Sequence, residues 1–160
     1  MTEAHTASSV LMVRPVNFTG NVQTAASNRF QQLSGANSGA NSDNATQAAA
    51  LAEFDALANA LSQAGVDVLI FEDTPDPHTP DSIFPNNWVS FHADGTVVLY
   101  PMLALNRRLE RRLDIIEALH ARYGFHTTRT IDLTHREAEG KFLEGTGRSE
   151  EHTSELQSPI

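Results

Sequence analysis

Hydrophobic and polar positions change rhythm several times along the chain. The first apolar run, in SSVLMVRPVNF, is short, continuous and closed by Pro15, which predicts a buried strand from about Val10 to Arg14. NVQTAASNRFQQL reads as a weak helix or loop. SGANSGANSDNATQ, within residues 33–47, has too little apolar area to offset the cost of ordering and is expected to be a flexible insertion. The period then becomes helical. Leu51, Phe54, Leu57, Leu61 and Ala64 recur at spacings of three and four, and Gly65 is placed to stop the helix. VDVLIFED is mostly apolar, as in a strand of a sheet covered on both faces.

The second half opens on TPDPHTPDSIFPNN, whose four prolines in fourteen residues make it loop. WVSFHADGTVVLYPM predicts a hairpin, and Asp94-Gly95 suits a two-residue primed turn. NRRLERRLDIIEALHARYG predicts one helix, capped by Asn106 and stopped by Gly124. Leu109, Leu113, Ile116, His120 and Tyr123 would form its buried face, and its arginines a solvated one. HTTRTIDL is a further strand. The order strand, helix, strand, loop, hairpin, helix, strand gives an α/β fold with mixed strand directions.

Composition removes several functions. The 160 residues suit one ordinary domain, with 40% hydrophobic and 19% charged residues. The chain has no apolar run long enough to span a membrane, and its N-terminus lacks the pattern of a secretory signal, so the expected compartment is the cytoplasm. A net charge of -9 opposes nucleic-acid binding, which needs clustered cations. The absence of cysteine excludes disulfides, thiolate metal sites and a cysteine nucleophile within these residues. His78, His92, His120, His126 and His135 are scattered, with no zinc-site spacing, so no metal is expected. There is no phosphate loop, serine elbow or dinucleotide fingerprint, so no cofactor is expected either.

Two stretches carry candidate chemistry. TPDSIFPNNWVSFH gathers Asp81, Asn86, Asn87, Trp88 and His92 where a proline-fixed loop becomes a strand, a common position for ligand groups in α/β folds. An asparagine offers a donor and an acceptor, which suits a neutral polar group. The alternative is a turn in which both asparagines bond the local backbone. In KFLEGTG, Glu144 stands before two glycines, which puts its carboxylate at a turn; a plain surface glutamate is the alternative.

VLMVRPVNF, TPDSIFPNNWVSFHADGTVVLYPM and DLTHREAEGKFLEGTG together resemble the N-terminal half of the amidinotransferase-related hydrolases of the pentein (guanidino-group-modifying) superfamily. Citrulline-utilisation hydrolases stand nearest in these motifs. The resemblance covers nearly all of residues 10–147. It implies a propeller of five ββαβ modules, about half of it present here as a catalytic domain over residues 1–147. It implies a small amino-acid substrate in a central channel, attacked by a cysteine with a histidine as acid and base, both from a second half absent from this chain. Carried over position by position, Glu144 matches the catalytic glutamate that contacts the substrate's terminal nitrogens. Asn87 falls where arginine-processing relatives usually carry an aspartate. Asp81 and Asn86 share that substrate-binding loop. Arginine deiminase, dimethylargininase and amidinotransferase activities are alternatives for the parent, as is a non-catalytic binding protein on the same fold. A homo-oligomeric parent is compatible with the resemblance. This chain alone is expected to be inactive.

The tail departs from all of this. RSEEHTSELQS, residues 148–158, coincides with the in-frame translation of a widely used short-read sequencing adapter. Residues 148–160 are therefore expected to be non-native and disordered, with the genuine reading frame ending at Gly147.

Overall fold

β1 (Ser9–Arg14) and β2 (Asp67–Glu72) pair in parallel, in register from Ser9 opposite Asp67 to Arg14 opposite Glu72. Parallel strands need a crossover, and α1 (Ala40–Gln63) supplies it. The computed structural model describes residues 7–24 and 40–145 and divides into two compact units between Phe84 and Pro85. The 148–160 tail and residues 33–39 of the expected insertion lie outside the described residues.

In the first unit, α1 begins at Ala40, well before the predicted start. Hydrogen bonds rather than apolar burial tie down this early part. The Gln47 side chain accepts from the Phe18 N–H at 2.5 Å and donates to the Pro15 carbonyl at 2.9 Å. The buried face also differs from the predicted one. Phe54 and Ala58 are buried, whereas Leu57 is 54% exposed on the wall of an open apolar cleft of about 390 Å³. Ala64 lies past the end of the helix. Gly65, at φ +86°, does stop it: the Gly65 and Val66 N–H groups return to the carbonyls of Ser62 and Leu61, closing a Schellman motif. β2 is not covered on both faces. Its exposed positions include Ile70, because a two-stranded sheet backed by one helix shields one side only. In the loop after β2, Asp73 accepts from the hydroxyls of Thr79 (3.0 Å) and Ser82 (2.6 Å), both buried.

The second unit follows a strand–strand–helix–strand order: β3 (Val89–Phe91), β4 (Thr96–Leu99), α2 (Leu113–Tyr123) and β5 (Arg129–Asp132). β4 is central, antiparallel to β3 and parallel to β5. That is one ββαβ module of the kind the resemblance implies. Alternation divides the sheet. Val89, Phe91, Val97 and Leu99 lie in the core with Ile116 of α2 and Phe125, and Phe91 meets Phe125 edge-on at 5.2 Å between ring centroids. Ser90, His92 and Val98 point from the other face.

Two predictions fail here for physical reasons. The expected single helix from Asn106 is broken. Asn106–Glu110 is a 3-10 turn, Arg111 and Arg112 are extended (ψ 97° and 84°), and α2 starts afresh at Leu113. The break resets the helical phase. Ile115 and Leu119 are buried, while Leu109, Leu113, His120 and Tyr123 are exposed. Gly124, at φ +70°, ends α2 as expected. The hairpin loop has three residues instead of two. The Gly95 N–H bonds the His92 carbonyl, the His92 N–H bonds the Thr96 carbonyl, and only Gly95 (φ +79°) needs the left-handed conformation. Among the described residues, no helix is long and apolar enough to cross a membrane.

Gly95 is required twice, by its φ and by space: a β-carbon there would stand 2.5 Å from the His126 carbonyl oxygen. Gly95→Ala should destabilise the second unit by about 2 kcal/mol or more, read as a lowered urea midpoint with an unchanged m-value.

Candidate active site

Pro85–Asn87 forms a 3-10 turn that runs directly into β3. The Trp88 N–H bonds back to the Pro85 carbonyl, and the Trp88 carbonyl accepts from the Tyr100 N–H at 2.9 Å, which extends the hairpin ladder by one pair. Trp88, bulky and apolar, is 1% exposed and anchors the turn in the core. Asn87 is thereby held buried at the end of a strand, and Asn86 is exposed.

Glu144 reaches the same place from the far end of the unit. The Leu143 N–H donates to the Pro101 carbonyl at 3.0 Å, which lays this segment beside the residues that follow β4. Gly145 then meets the Asn86–Asn87 turn so closely that a β-carbon there would overlap the Asn86 carbonyl oxygen and sit 3.2 Å from the Tyr100 ring. The glycine after Glu144 is thus required by backbone approach, and it brings the Glu144 turn against the asparagine turn.

The arginines expected on a solvated face point inward. Arg107 is 4% exposed. Its Nε and Nη2 fork onto Glu110, itself buried, at 3.0–3.3 Å, and its Nη1 donates to Glu144 Oε2 at 3.2 Å. Arg108 and Arg111 converge on Glu137, which also accepts from the Met102 N–H at 2.8 Å. Burial alone would raise the Glu137 carboxyl. The Arg111 hydrogen bond, the Met102 N–H and the charges of Arg111 and Arg108 outweigh it, and the carboxyl titrates below its ordinary value.

Asp81 belongs to the first unit. Its Oδ2 accepts from Asn21 Nδ2 at 2.6 Å and from the Thr24 hydroxyl at 3.4 Å. Asn21 is almost wholly buried, and its own oxygen accepts from the Gln23 N–H, so Asp81 fixes the 21–24 turn. Of the four predicted residues, Asn86, Asn87 and Glu144 thus stand on adjoining turns of one unit. His92 shares a hydrogen-bonded chain with Ser90 (3.0 Å) and, through it, with Tyr100 (2.9 Å).

Sequence reasoning missed Arg107, Glu110, Ser90 and Tyr100. The signal for the first two was the i, i+3 spacing of Arg107 and Glu110 inside NRRLERR. Nothing marked Ser90 or Tyr100 beyond their place on a strand. Chemically, the arrangement offers one carboxylate hydrogen-bonded to a buried guanidinium, on a turn that adjoins the turn carrying the buried Asn87.

A family model described as N,N dimethylarginine dimethylhydrolase, eukaryotic, matches residues 14–149. That family was among the alternatives left by the motifs; it is not the citrulline-utilisation group to which they stand nearest. No curated protein and no solved structure matches the chain.

Two outcomes follow from the buried charges. Arg107→Met removes the guanidinium that both Glu110 and Glu144 accept from and should cost about 3–5 kcal/mol in urea unfolding, whereas Glu110→Leu leaves Arg107 its bond to Glu144 and should cost less. Because the folded Glu137 carboxyl titrates below its unfolded value, it stabilises above the unfolded value, near pH 4.3, and loses that contribution as pH falls through the folded one. Glu137→Gln should therefore flatten the fall in urea midpoint between about pH 6 and about pH 3.

Proposed function

Because this chain belongs to the N,N dimethylarginine dimethylhydrolase family, and with it to the pentein superfamily of guanidino-modifying hydrolases, we propose that it contributes the substrate-binding half of an enzyme that hydrolyses a C–N bond in a ureido or guanidino amino acid. In this reading its two units are modules of a five-module propeller. Glu144 takes N–H donors from the group under attack, Asn87 reads the polar atom beside them, and Asn86 shares the turn of Asn87. A thiolate attacks the central carbon, the C–N bond breaks, the leaving amine takes a proton from a histidine, and water releases the acyl intermediate. This chain contains no cysteine, so the thiolate must come from outside its 160 residues.

The observation that supports this reading most is a buried Asn87 adjoining the Glu144 turn, at a position where arginine-processing relatives usually carry an aspartate. A guanidinium is a planar cation whose best partners are carboxylates. A ureido group is neutral and presents a carbonyl acceptor. A carboxylate facing that carbonyl would set acceptor against acceptor and leave a buried polar atom unpaired, at about 1–3 kcal/mol. The asparagine amide can donate to the carbonyl and accept from the terminal NH₂. We therefore infer a preference for citrulline or another ureido compound. The second reading, dimethylarginine, is favoured by the family match itself.

The experiment is a comparison of kcat/KM for citrulline, arginine and dimethylarginine in the full-length parent and in its Asn87→Asp variant. The variant should move the balance toward the cationic substrates by about tenfold, or about 1.4 kcal/mol. An unchanged balance would make the asparagine turn structural. A dominant rate on dimethylarginine in the unmodified parent would select the second reading. The 160-residue chain should turn over none of the three, and turnover that survives thiol alkylation would refute the cysteine mechanism.

A further inference from the structure

The sheet face opposite α2 carries a hydrogen-bonded chain that none of the chemistry above uses. Ser90 Oγ lies 3.0 Å from His92 Nε2 and 2.9 Å from the Tyr100 hydroxyl. Ser90 and His92 are two apart on one edge of the hairpin. Tyr100 follows β4 and is 1% exposed, and its ring backs Gly145, the residue after Glu144. The chain therefore runs from a half-buried histidine near the hairpin turn to the backbone beside the carboxylate of the candidate site.

We propose that Tyr100 is a positioning residue for the Glu144–Gly145 turn, and that His92, acting through Ser90, controls how firmly Tyr100 is held. The reason lies in the direction of the donors. With His92 neutral at Nε2, Tyr100 donates to Ser90 and Ser90 donates to His92, so every proton has an acceptor. With His92 protonated, its Nε2–H must donate. Ser90 Oγ accepts, its own proton loses the histidine as acceptor, and the chain then holds one donor too many: either the Ser90 proton is left over or, if it turns toward the tyrosine oxygen, the buried Tyr100 proton is. Among the described residues, Ser90 is the hydrogen-bond partner of that hydroxyl. A buried hydroxyl without an acceptor is driven to move, and movement of the ring is felt at Gly145, where the packing leaves no room.

The charged groups facing His92 are Asp94 in the hairpin turn and, across Thr96, Arg129 of β5, which donates to the Thr96 hydroxyl at 3.3 Å. Asp94 is held below the usual carboxylate range by the Thr96 N–H and stays ionised through the histidine window. The consequence for catalysis rests on reading the Glu144 turn as part of a substrate site; the coupling itself does not.

NMR on the full 160-residue chain tests the coupling without any substrate. The His92 ring and the Glu144 and Gly145 amides are followed from about pH 5 to about pH 8, in the unmodified chain and in Tyr100→Phe and Ser90→Ala. The expected result is that both amides shift with the His92 midpoint in the unmodified chain. In either variant His92 still titrates but the amides stay flat. A merely structural Tyr100 would lose stability on deletion of its hydroxyl but would not decouple the amides from His92. If one variant fails to fold, the other decides. Amides that ignore His92 in the unmodified chain, or follow it equally in the variants, overturn the proposal. A chain that shows the coupling yet binds no amino acid would sink the functional reading and leave this one standing.

Discussion

A guanidinium at 4% exposure must be surrounded by acceptors, and in the second unit much of the backbone is arranged to supply them to Arg107. In an α-helix, Arg107 and Glu110 would stand on neighbouring turns but offset around the axis. A 3-10 turn brings side chains at i and i+3 into eclipse, and the fork of Nε and Nη2 onto Glu110 takes that alignment. The tighter turn cannot run on, because its hydrogen-bond geometry is poorer. The chain extends at Arg111 and Arg112, and α2 begins again in a new phase. The 3-10 turn, the break, the altered buried face of α2 and the inward turn of the arginines are linked through that ion pair. The third nitrogen of the same guanidinium then fixes Glu144. Structure and candidate chemistry meet in one side chain.

The sheet separates the two tasks by parity. Odd residues of β3 and β4 build the apolar core with α2, Ser90 takes the other face, and Tyr100, to which Ser90 is hydrogen-bonded, backs the Gly145 turn. A strand enforces this division automatically, since successive side chains take opposite faces. The short hairpin can therefore support both a dry core and a polar array, and the close contact of Gly145 with Asn86 closes the array without any side chain of its own.

Much of the fold was legible because it follows periodicity. β1, β2, β5, the apolar middle of α1 and the glycine stops at Gly65 and Gly124 all come from spacing and local backbone rules. The failures have one character: each depends on the hydrogen-bond partner of a polar group, which periodicity does not show. Gln47 extends α1 because it satisfies Phe18 and Pro15, more than twenty residues away in sequence. The arginines look solvated in a leucine-rich helical pattern until Glu137 and Glu144 fold back onto them. The hairpin loop lengthened because Asp94 accepts the Thr96 N–H, which a two-residue turn would have placed elsewhere. At the site, Asn87 and Glu144 were candidates from their loop and turn positions, but composition alone equally allowed a plain turn and a plain surface glutamate; motif resemblance supplied their roles. Resemblance reached the superfamily, with the matched family among its alternatives rather than as its nearest member.

The charge around the candidate site carries the substrate argument one step further. Glu110 and Glu144 both accept from the guanidinium of Arg107. The adjoining turn adds no charge, because Asn86 and Asn87 are neutral. A carboxylate at position 87 would add a negative charge near Glu144, and a guanidinium could bind with its charge satisfied by neighbours. With asparagine there, a cation meets a carboxylate that is already hydrogen-bonded to Arg107. Its desolvation would be offset by less attraction, and at the short distances and reduced dielectric of a closed site that difference weighs heavily. A neutral ureido group incurs no such ionic desolvation and needs only matched donors and acceptors. On the proposed reading, a buried amide beside a carboxylate that already shares its cation would favour a partner matched by hydrogen-bond pattern more than by charge.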